Sequence, residues 1–443
     1  MIEDTIFALA SGAGKAGIAV YRISGPNASQ VILDLCDQAL PVERQAVRAE
    51  LKDRNDDVVI DDGLALWFPG PRSFTGEDVV ELHLHGGWAV TSAVLENLGS
   101  ADFLRIAEPG EFTRRAFENG KMDLTAAEGL ADLINAETEA QRLQSQRQMN
   151  GELGEIYQKW RQRLMHASAL FEAEIDFSDE GLPGDLRTKV DNEVNQLAND
   201  IKFHLDDGGQ GQIVRDGFYI TIVGPPNAGK SSLLNIISKK KAAIVSEEAG
   251  TTRDVIEVHL DIKGFPVILA DTAGLREPEN MVELEGIRRA KDRAKSADLI
   301  VAVHDGSHWP QRDSYMDGLS DSHTIHLVNK VDLLEVTRKT AMEGSYLGVS
   351  ALTGQGLDLL MARLKEEISE RCHLSATPAI TKKRHRQALE ESLHCLVRYQ
   401  DAGESELKAE DLRLAVRALG RITGQVGVED ILDIIFSEFC IGK

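Results

Sequence analysis

Gly224-Pro225-Pro226-Asn227-Ala228-Gly229-Lys230-Ser231 decides the fold, because it satisfies G-x-x-x-x-G-K-[ST] at every required position. The apolar run 217–223 before it predicts a buried strand, and 231–237 after it predicts a helix. Strand, glycine loop and helix in this order make a triphosphate cradle. Loop N–H groups and the helix N-terminus face the phosphates, Lys230 reaches the outer ones, and the Ser231 hydroxyl is placed to ligate Mg2+. A plain glycine turn needs neither the lysine nor the hydroxyl.

Asn329-Lys330-Val331-Asp332, following the apolar His326-Leu327-Val328, separates guanine from adenine. Asp332 can accept from the ring N–H and the amino group on one guanine edge. Adenine lacks both donors, and a carboxylate left unpaired against it costs about 1–3 kcal/mol. Ser350-Ala351-Leu352 has the form of the loop that closes over the base. Asp271-Thr272-Ala273-Gly274 follows another apolar strand; Asp271 can hold Mg2+ through water and the Gly274 N–H can meet the γ-phosphate. Thr251 and Thr252 lie between the phosphate loop and that strand, where a threonine completes the metal shell. Four motifs in this order predict a switchable GTPase. Leu275 stands where Ras-like enzymes carry a water-orienting glutamine, so hydrolysis needs another polar group, with Glu283 and Glu285 both candidates.

A length of 443 residues suggests about three domains. The net charge of −23 argues against a non-specific nucleic-acid coat, so any such contact is local or shared with a partner. Cys36, Cys372, Cys395 and Cys440 are widely spaced, which argues against a disulfide framework or zinc site and suits a reducing compartment; three are expected to be buried thiols. The acidic Met1-Ile2-Glu3-Asp4 and the lack of a membrane-length apolar run make the expectation a cytoplasmic protein without membrane contact.

Several stretches imitate other sites. Gly12-Ala13-Gly14-Lys15-Ala16-Gly17 spells a dinucleotide fingerprint, but strand-like residues follow where a helix is required. His83 and His85 share one strand face without a third ligand nearby, and read as hydrogen-bonded structural histidines. The G-x-x-G within 206–211 has acidic flanks that would repel an RNA backbone, and reads as a flexible linker. Lys382-Lys383-Arg384-His385-Arg386 reads as a solvated helix face rather than a phosphate contact, and the 153–171 stripe as bundle core.

The whole pattern resembles the MnmE (TrmE) family of tRNA-modification GTPases. The likeness is carried by Arg22-Ile23-Ser24-Gly25, Thr75-Gly76-Glu77-Asp78-Val79-Val80-Glu81, the motifs of the G domain, and Phe439-Cys440-Ile441-Gly442-Lys443. It implies a multidomain α/β architecture: an α+β tetrahydrofolate-binding and dimerisation domain (1–120), a discontinuous helical bundle (121–214 and 376–443), and an inserted Ras-like G domain with a doubly wound sheet (215–375). The implied activity is carboxymethylaminomethyl or aminomethyl transfer to C5 of a wobble uridine. It uses a folate one-carbon unit and an FAD-dependent MnmG (GidA)-type partner, with the homodimer and partner forming a heterotetramer.

The resemblance places folate contacts on Arg22, Glu81, Lys121 and Lys443, and Cys440 beside the reacting carbon. The prenylation box that Cys440 imitates is contradicted by Gly442, Lys443 and the acidic upstream sequence. It assigns K+ ligands to Asn227, Ser246, Glu248 and Thr251, Mg2+ ligands to Ser231 and Thr252, and water orientation to Glu283, with Lys230 also catalytic. Nucleotide contacts then comprise 227–232 (Asn227, Ala228, Gly229, Lys230, Ser231, Ser232) and 246–252 (Ser246, Glu247, Glu248, Ala249, Gly250, Thr251, Thr252). They continue through Asp271, Thr272, Ala273 and Gly274 to Asn329, Lys330, Asp332, Ser350, Ala351 and Leu352. Two other classes compete: a ribosome-assembly switch, and a folate-dependent one-carbon transferase acting on another substrate with a regulatory G domain.

Overall fold

The computed structural model describes residues 4–176, 186–240, 257–271, 297–311, 323–334, 346–372, 378–437 and 439–442. Two compact units emerge: Met1–Ala131, Arg147–Ala198 and Glu391–Lys443 form the first, and Asp132–Gln146 with Asn199–Glu390 the second.

The first unit opens with six strands: β1 (Thr5–Leu9), β2 (Ala16–Ser24), β3 (Val47–Lys52), β4 (Val59–Phe68), β5 (Val79–Gly86) and β6 (Leu104–Ile106). Their sheet order is β3-β4-β5-β2-β1-β6, antiparallel except for the parallel β1–β6 pair. Side chains alternate along β1, so one short strand feeds two cores. Phe7 joins Tyr21, Ile23, Val80 and Leu82 beneath α1 (Ala28–Leu35) and α2 (Trp88–Gly99). Ile6 and Ala8 instead meet Phe112 of α3 (Glu111–Glu118). β2 begins inside the G-x-G-x-x-G match and runs on as strand, so no dinucleotide turn forms there.

The chain continues as α4 (Leu124–Ile134), α5 (Glu139–Met149), α6 (Glu152–Asp176) and α7 (Leu186–Leu205). On α6, Leu153, Tyr157, Leu164, Ala167 and Phe171 are buried, as the helical stripe predicts.

In the second unit, α8 (Gln210–Asp216) leads into β7 (Phe218–Val223) and α9 (Lys230–Lys240). β8 (Glu257–Ile262), β9 (Phe265–Asp271), β10 (Leu299–Asp305), β11 (Thr324–Asn329), β12 (Tyr346–Gly348) and α10 (Leu357–Arg371) follow. The order β12-β11-β10-β7-β9-β8 is parallel apart from the β8–β9 hairpin. Ile220, Ile222, Leu269, Val301, Val303 and Leu327 are buried, the near-continuous apolar signature of a sheet covered on both faces. Strand order reverses between β7 and β10, and the phosphate loop leaves the carboxyl end of β7 at this switch point. The segment 132–146 belongs to this unit through its own bonds: Ala140 N donates to Gly264 O at 3.0 Å, and Arg215 pairs with Asp132 at 3.0 Å.

Two expectations need correction here. Residues 206–211 are not a loose linker: Gly209 N donates to Asp207 Oδ1 at 2.9 Å, and a Cβ on Gly211 would lie 2.4 Å from Ile380 O. Nor is the basic cluster a solvated face. Arg386 donates to Leu205 O at 2.9 Å and pairs with Asp207, and His385 is fully buried.

The last helices are α11 (Lys383–Asp401), α12 (Ser405–Thr423) and α13 (Glu429–Ser437). α12 packs along α6, and Tyr399 meets Phe171 edge-on at 5.5 Å while its hydroxyl donates to Asp191 at 2.7 Å. Helices from before and after the G domain therefore share one core. α13 packs on α3 through Phe436 and Phe117, with ring centroids 6.3 Å apart. No described helix is long and apolar enough to cross a membrane.

Candidate functional site

The phosphate loop is shaped by backbone that few residues tolerate. Asn227 has φ +62° and Gly229 φ +88°. A Cβ on Gly229 would also sit 2.3 Å from Asn329 Nδ2, so conformation and close approach both call for glycine. Lys230 is buried, and its Nζ donates to Gly224 O at 2.8 Å and Pro225 O at 2.9 Å. Ser231 and Ser232 are exposed in the first turn of α9, where the helix dipole favours an anion. Asp271 is the register partner of Ile222, so its strand ends beside the phosphate loop.

The base-recognition end is tied to that loop by one side chain. Asn329 Nδ2 donates to Ala228 O at 2.7 Å, and its Oδ1 accepts from Ala351 N at 3.0 Å. Phosphate loop and base-closing loop are therefore braced through a single buried amide. Lys330, at φ +61°, pairs with Asp305 at 2.6 Å. Burial raises the Asp305 carboxyl pKa, but hydrogen bonds from Lys330 and Ser307 outweigh it and leave it below the ordinary value. Asp332 and Leu352 are exposed, while Ser350 is buried and its Oγ accepts from Thr353 N at 3.1 Å. Ser246, Glu247, Glu248, Ala249, Gly250, Thr251, Thr252, Thr272, Ala273, Gly274, Glu283, Glu285 and Lys443 lie outside the described residues.

A second constellation sits in the first unit. Arg22 and Glu81 are register partners on β2 and β5, with Nε–Oε1 at 3.0 Å and Nη2–Oε1 at 2.9 Å. The guanidinium lies 5.2 Å from the Phe74 ring centre and 5.9 Å from that of Phe112. His83 contacts Glu81 at 3.4 Å and His85 contacts Asp61 at 2.9 Å. Both histidines are thus hydrogen-bonded, and no three-ligand metal cluster occurs among the described residues. Lys121 Nζ donates to Pro71 O at 2.7 Å. The C-terminal segment comes to the same sheet: Ile441 bridges Pro109, and a Cβ on Gly442 would lie 2.2 Å from Leu9 O. Leu9 adjoins Ala8, the register partner of Arg22. Cys440 is exposed, while Cys36, Cys372 and Cys395 are buried.

Sequence reasoning missed Arg115, which is 1% exposed and ion-paired to Asp4, Glu77 and Glu111. Only the Glu111–Arg115 spacing of four was readable, and it is equally the mark of an exposed helix pair.

Two family descriptions match the chain: "MnmE helical domain" over residues 124–440 and "GTP-binding protein TrmE N-terminus" over 5–121. A protein of Parvibaculum lavamentivorans called "tRNA modification GTPase MnmE" is 53% identical, with 99% of this chain and 100% of that one covered. The chain belongs to the MnmE family of GTPases. A second relative with the same description, from Paramagnetospirillum magneticum, is 51% identical over 100% of both chains. The human "5-taurinomethyluridine-[tRNA] synthase subunit GTPB3, mitochondrial" is 46% identical, covering 99% of this chain and 93% of its own. In this MnmE-family chain one buried amide thus joins the glycine loop that carries Lys230 to the segment that carries the exposed Asp332.

Proposed function

We propose that this chain is a K+-activated GTPase that works with an FAD-dependent MnmG-type partner in modifying C5 of the wobble uridine of tRNA, using a folate one-carbon unit. The observation that carries the reading is a full-length likeness at 53% identity to a tRNA modification GTPase. Support comes from the Arg22–Glu81 pair and the C-terminal segment, which lie close together on the sheet of the first unit.

The residues present fit the groups the reading requires. Exposed Asn227 and Ser231 offer oxygen ligands in the phosphate loop for K+ and Mg2+ respectively; the family resemblance assigns the remaining ligands to Thr252 for Mg2+ and to Ser246, Glu248 and Thr251 for K+. When bound, the cations stabilise charge developing on the transferred phosphoryl group. Lys230 binds the outer phosphates, Asp332 selects guanine, and Glu283 orients the attacking water. Arg22 and Lys121, with Lys443, attract the carboxylates of a folate, and Glu81 accepts from the donor edge of its pterin. The folate supplies the one-carbon unit, and Cys440 stands by as nucleophile or proton carrier. Two copies of the chain and the partner form the working assembly, in the cytoplasm.

Nucleoside mass spectrometry of bulk tRNA tests the reading in cells with and without the gene. The 5-substituted wobble uridines should disappear on deletion and return with the intact gene. An unchanged profile, in cells with no redundant enzyme, would overturn it. Replacing KCl with NaCl at equal ionic strength should slow GTP turnover, and equal rates would remove K+ from the account.

A further inference from the structure

The β4–β5 loop, residues 69–78, and α3 with the residues just after it hold each other at four points around Arg22. Phe74 from the loop and Phe112 from the helix flank the Arg22 guanidinium. Asn119 Nδ2 donates to Thr75 O at 2.8 Å, and Lys121 Nζ donates to Pro71 O at 2.7 Å. The fourth point is buried and charged. Arg115 Nη1 donates to Glu77 Oε2 at 3.1 Å and Asp4 O at 3.0 Å; its Nη2 donates to Glu111 Oε1 and Asp4 Oδ1, both at 2.9 Å. Glu77 Oε2 also accepts from Ser24 Oγ at 2.8 Å, and Ser24 Oγ shares a 2.7 Å hydrogen bond with Thr75 Oγ1.

We propose that Arg115, acting through Glu77, is a positioning residue for the reduced-folate site. It fixes the loop that sets Phe74 against Arg22 and Pro71 against Lys121. The inference rests on the folate reading given above. A planar guanidinium is suited to this place because its fork reaches three acidic residues and a backbone carbonyl at once, which a point-charge ammonium cannot do. Ser24 lies two residues from Arg22 on β2, so a shift at Glu77 is passed along one strand to the residue expected to meet the ligand. The ligand chemistry is a pteridine with amino and N–H donors and a carboxylate-bearing tail, matching a carboxylate beside cations.

Calorimetric titration of the full chain with 5-formyltetrahydrofolate tests this. Arg115→Lys should weaken binding tenfold or more, while GTP turnover stays within twofold of the parent. Ser24→Ala, which removes one donor to Glu77, should weaken binding about threefold. Arg22→Ala is the control and should abolish binding. If Arg115→Lys and Ser24→Ala bind like the parent while Arg22→Ala does not bind, the positioning role is refuted. The same holds if they lower only the melting temperature and leave the affinity of the folded protein intact. If Arg22→Ala also binds like the parent, the folate reading falls and takes this inference with it. Should Arg115→Lys not fold, Ser24→Ala and Glu77→Gln decide by the threefold criterion.

Discussion

Asn329→Ala removes the brace between the phosphate loop and the base-closing loop. The amide is 2% exposed, donates to Ala228 O at 2.7 Å and accepts from Ala351 N at 3.0 Å. Truncation leaves the buried Ala228 carbonyl and the half-buried Ala351 N–H unpaired, each costing about 1–3 kcal/mol, so a total of roughly 2–4 kcal/mol is expected after partial relaxation and hydration of the second group. That energy divides between stability of the free protein and organisation of the nucleotide site. If it falls wholly on binding, affinity drops roughly 30- to 700-fold, at about 1.4 kcal/mol per tenfold. Because the amide braces loops and does not itself choose the base, affinities for GDP and GTP should fall by similar factors. Guanine-over-adenine preference should survive, since Asp332 is untouched. Fluorescent GDP titration alongside thermal melting separates the two shares. A variant that binds GDP within threefold of the parent and melts at the same temperature refutes the bracing argument.

Asp332→Asn should lower GTP affinity tenfold or more and narrow the preference over ATP, measured by competition titration; retained preference would remove Asp332 from base reading. Cys440→Ser should abolish native-state labelling by a thiol reagent. Burial pushes the Cys36 thiol up to about 11 and the Cys372 thiol up to about 12, and only Cys440 is exposed. Gly442→Ala should weaken folate binding without altering GTP turnover, because a Cβ would meet Leu9 O at 2.2 Å and displace the terminal segment. Acid should destabilise the first unit through Asp4 and Glu111. Burial raises both pKa values, but the guanidiniums of Arg105 and Arg115 outweigh it and leave each below its ordinary 3.8 or 4.5. Their stabilisation is therefore present above about pH 4.5 and lost as pH falls through the lowered values, a dependence visible in melting curves from pH 5 to 2 and reduced in Arg115→Lys.

The G domain was legible because its chemistry is written in contiguous stretches. A phosphate loop needs its glycines, lysine and hydroxyl within eight positions, and Asn329 closes β11 with Asp332 on the turn that follows. Local spacing therefore carries the site. The buried stripe of α6 and the two-sided burial of β7 were legible for the same reason, since helical and strand periodicity are local. The pairing of Arg22 with Glu81 was legible only as a shared assignment. Its geometry comes from antiparallel register between β2 and β5, which no single window contains.

What escaped depends on partners far apart in the chain. The Asn329 brace spans 101 positions, the Arg115–Asp4 contact 111, and the Arg386–Leu205 contact 181, so composition around any one partner says nothing about the other. Local charge even misleads. The basic run 382–386 and the acidic Asp206-Asp207 each read as solvent-facing alone, yet Arg386 and Asp207 neutralise one another across a packed joint. The same logic explains Arg115. An arginine 1% exposed is tolerable only when its charge is met, and carboxylates from three separate places in the chain meet it at the two Nη atoms. Removing any one carboxylate leaves the guanidinium undercompensated, so the cluster fixes α3, the β4–β5 loop and the approach to β1 as a set. A rigid frame of this kind beside Arg22 is what the proposed folate site would need to hold its few ligand-facing groups in one geometry.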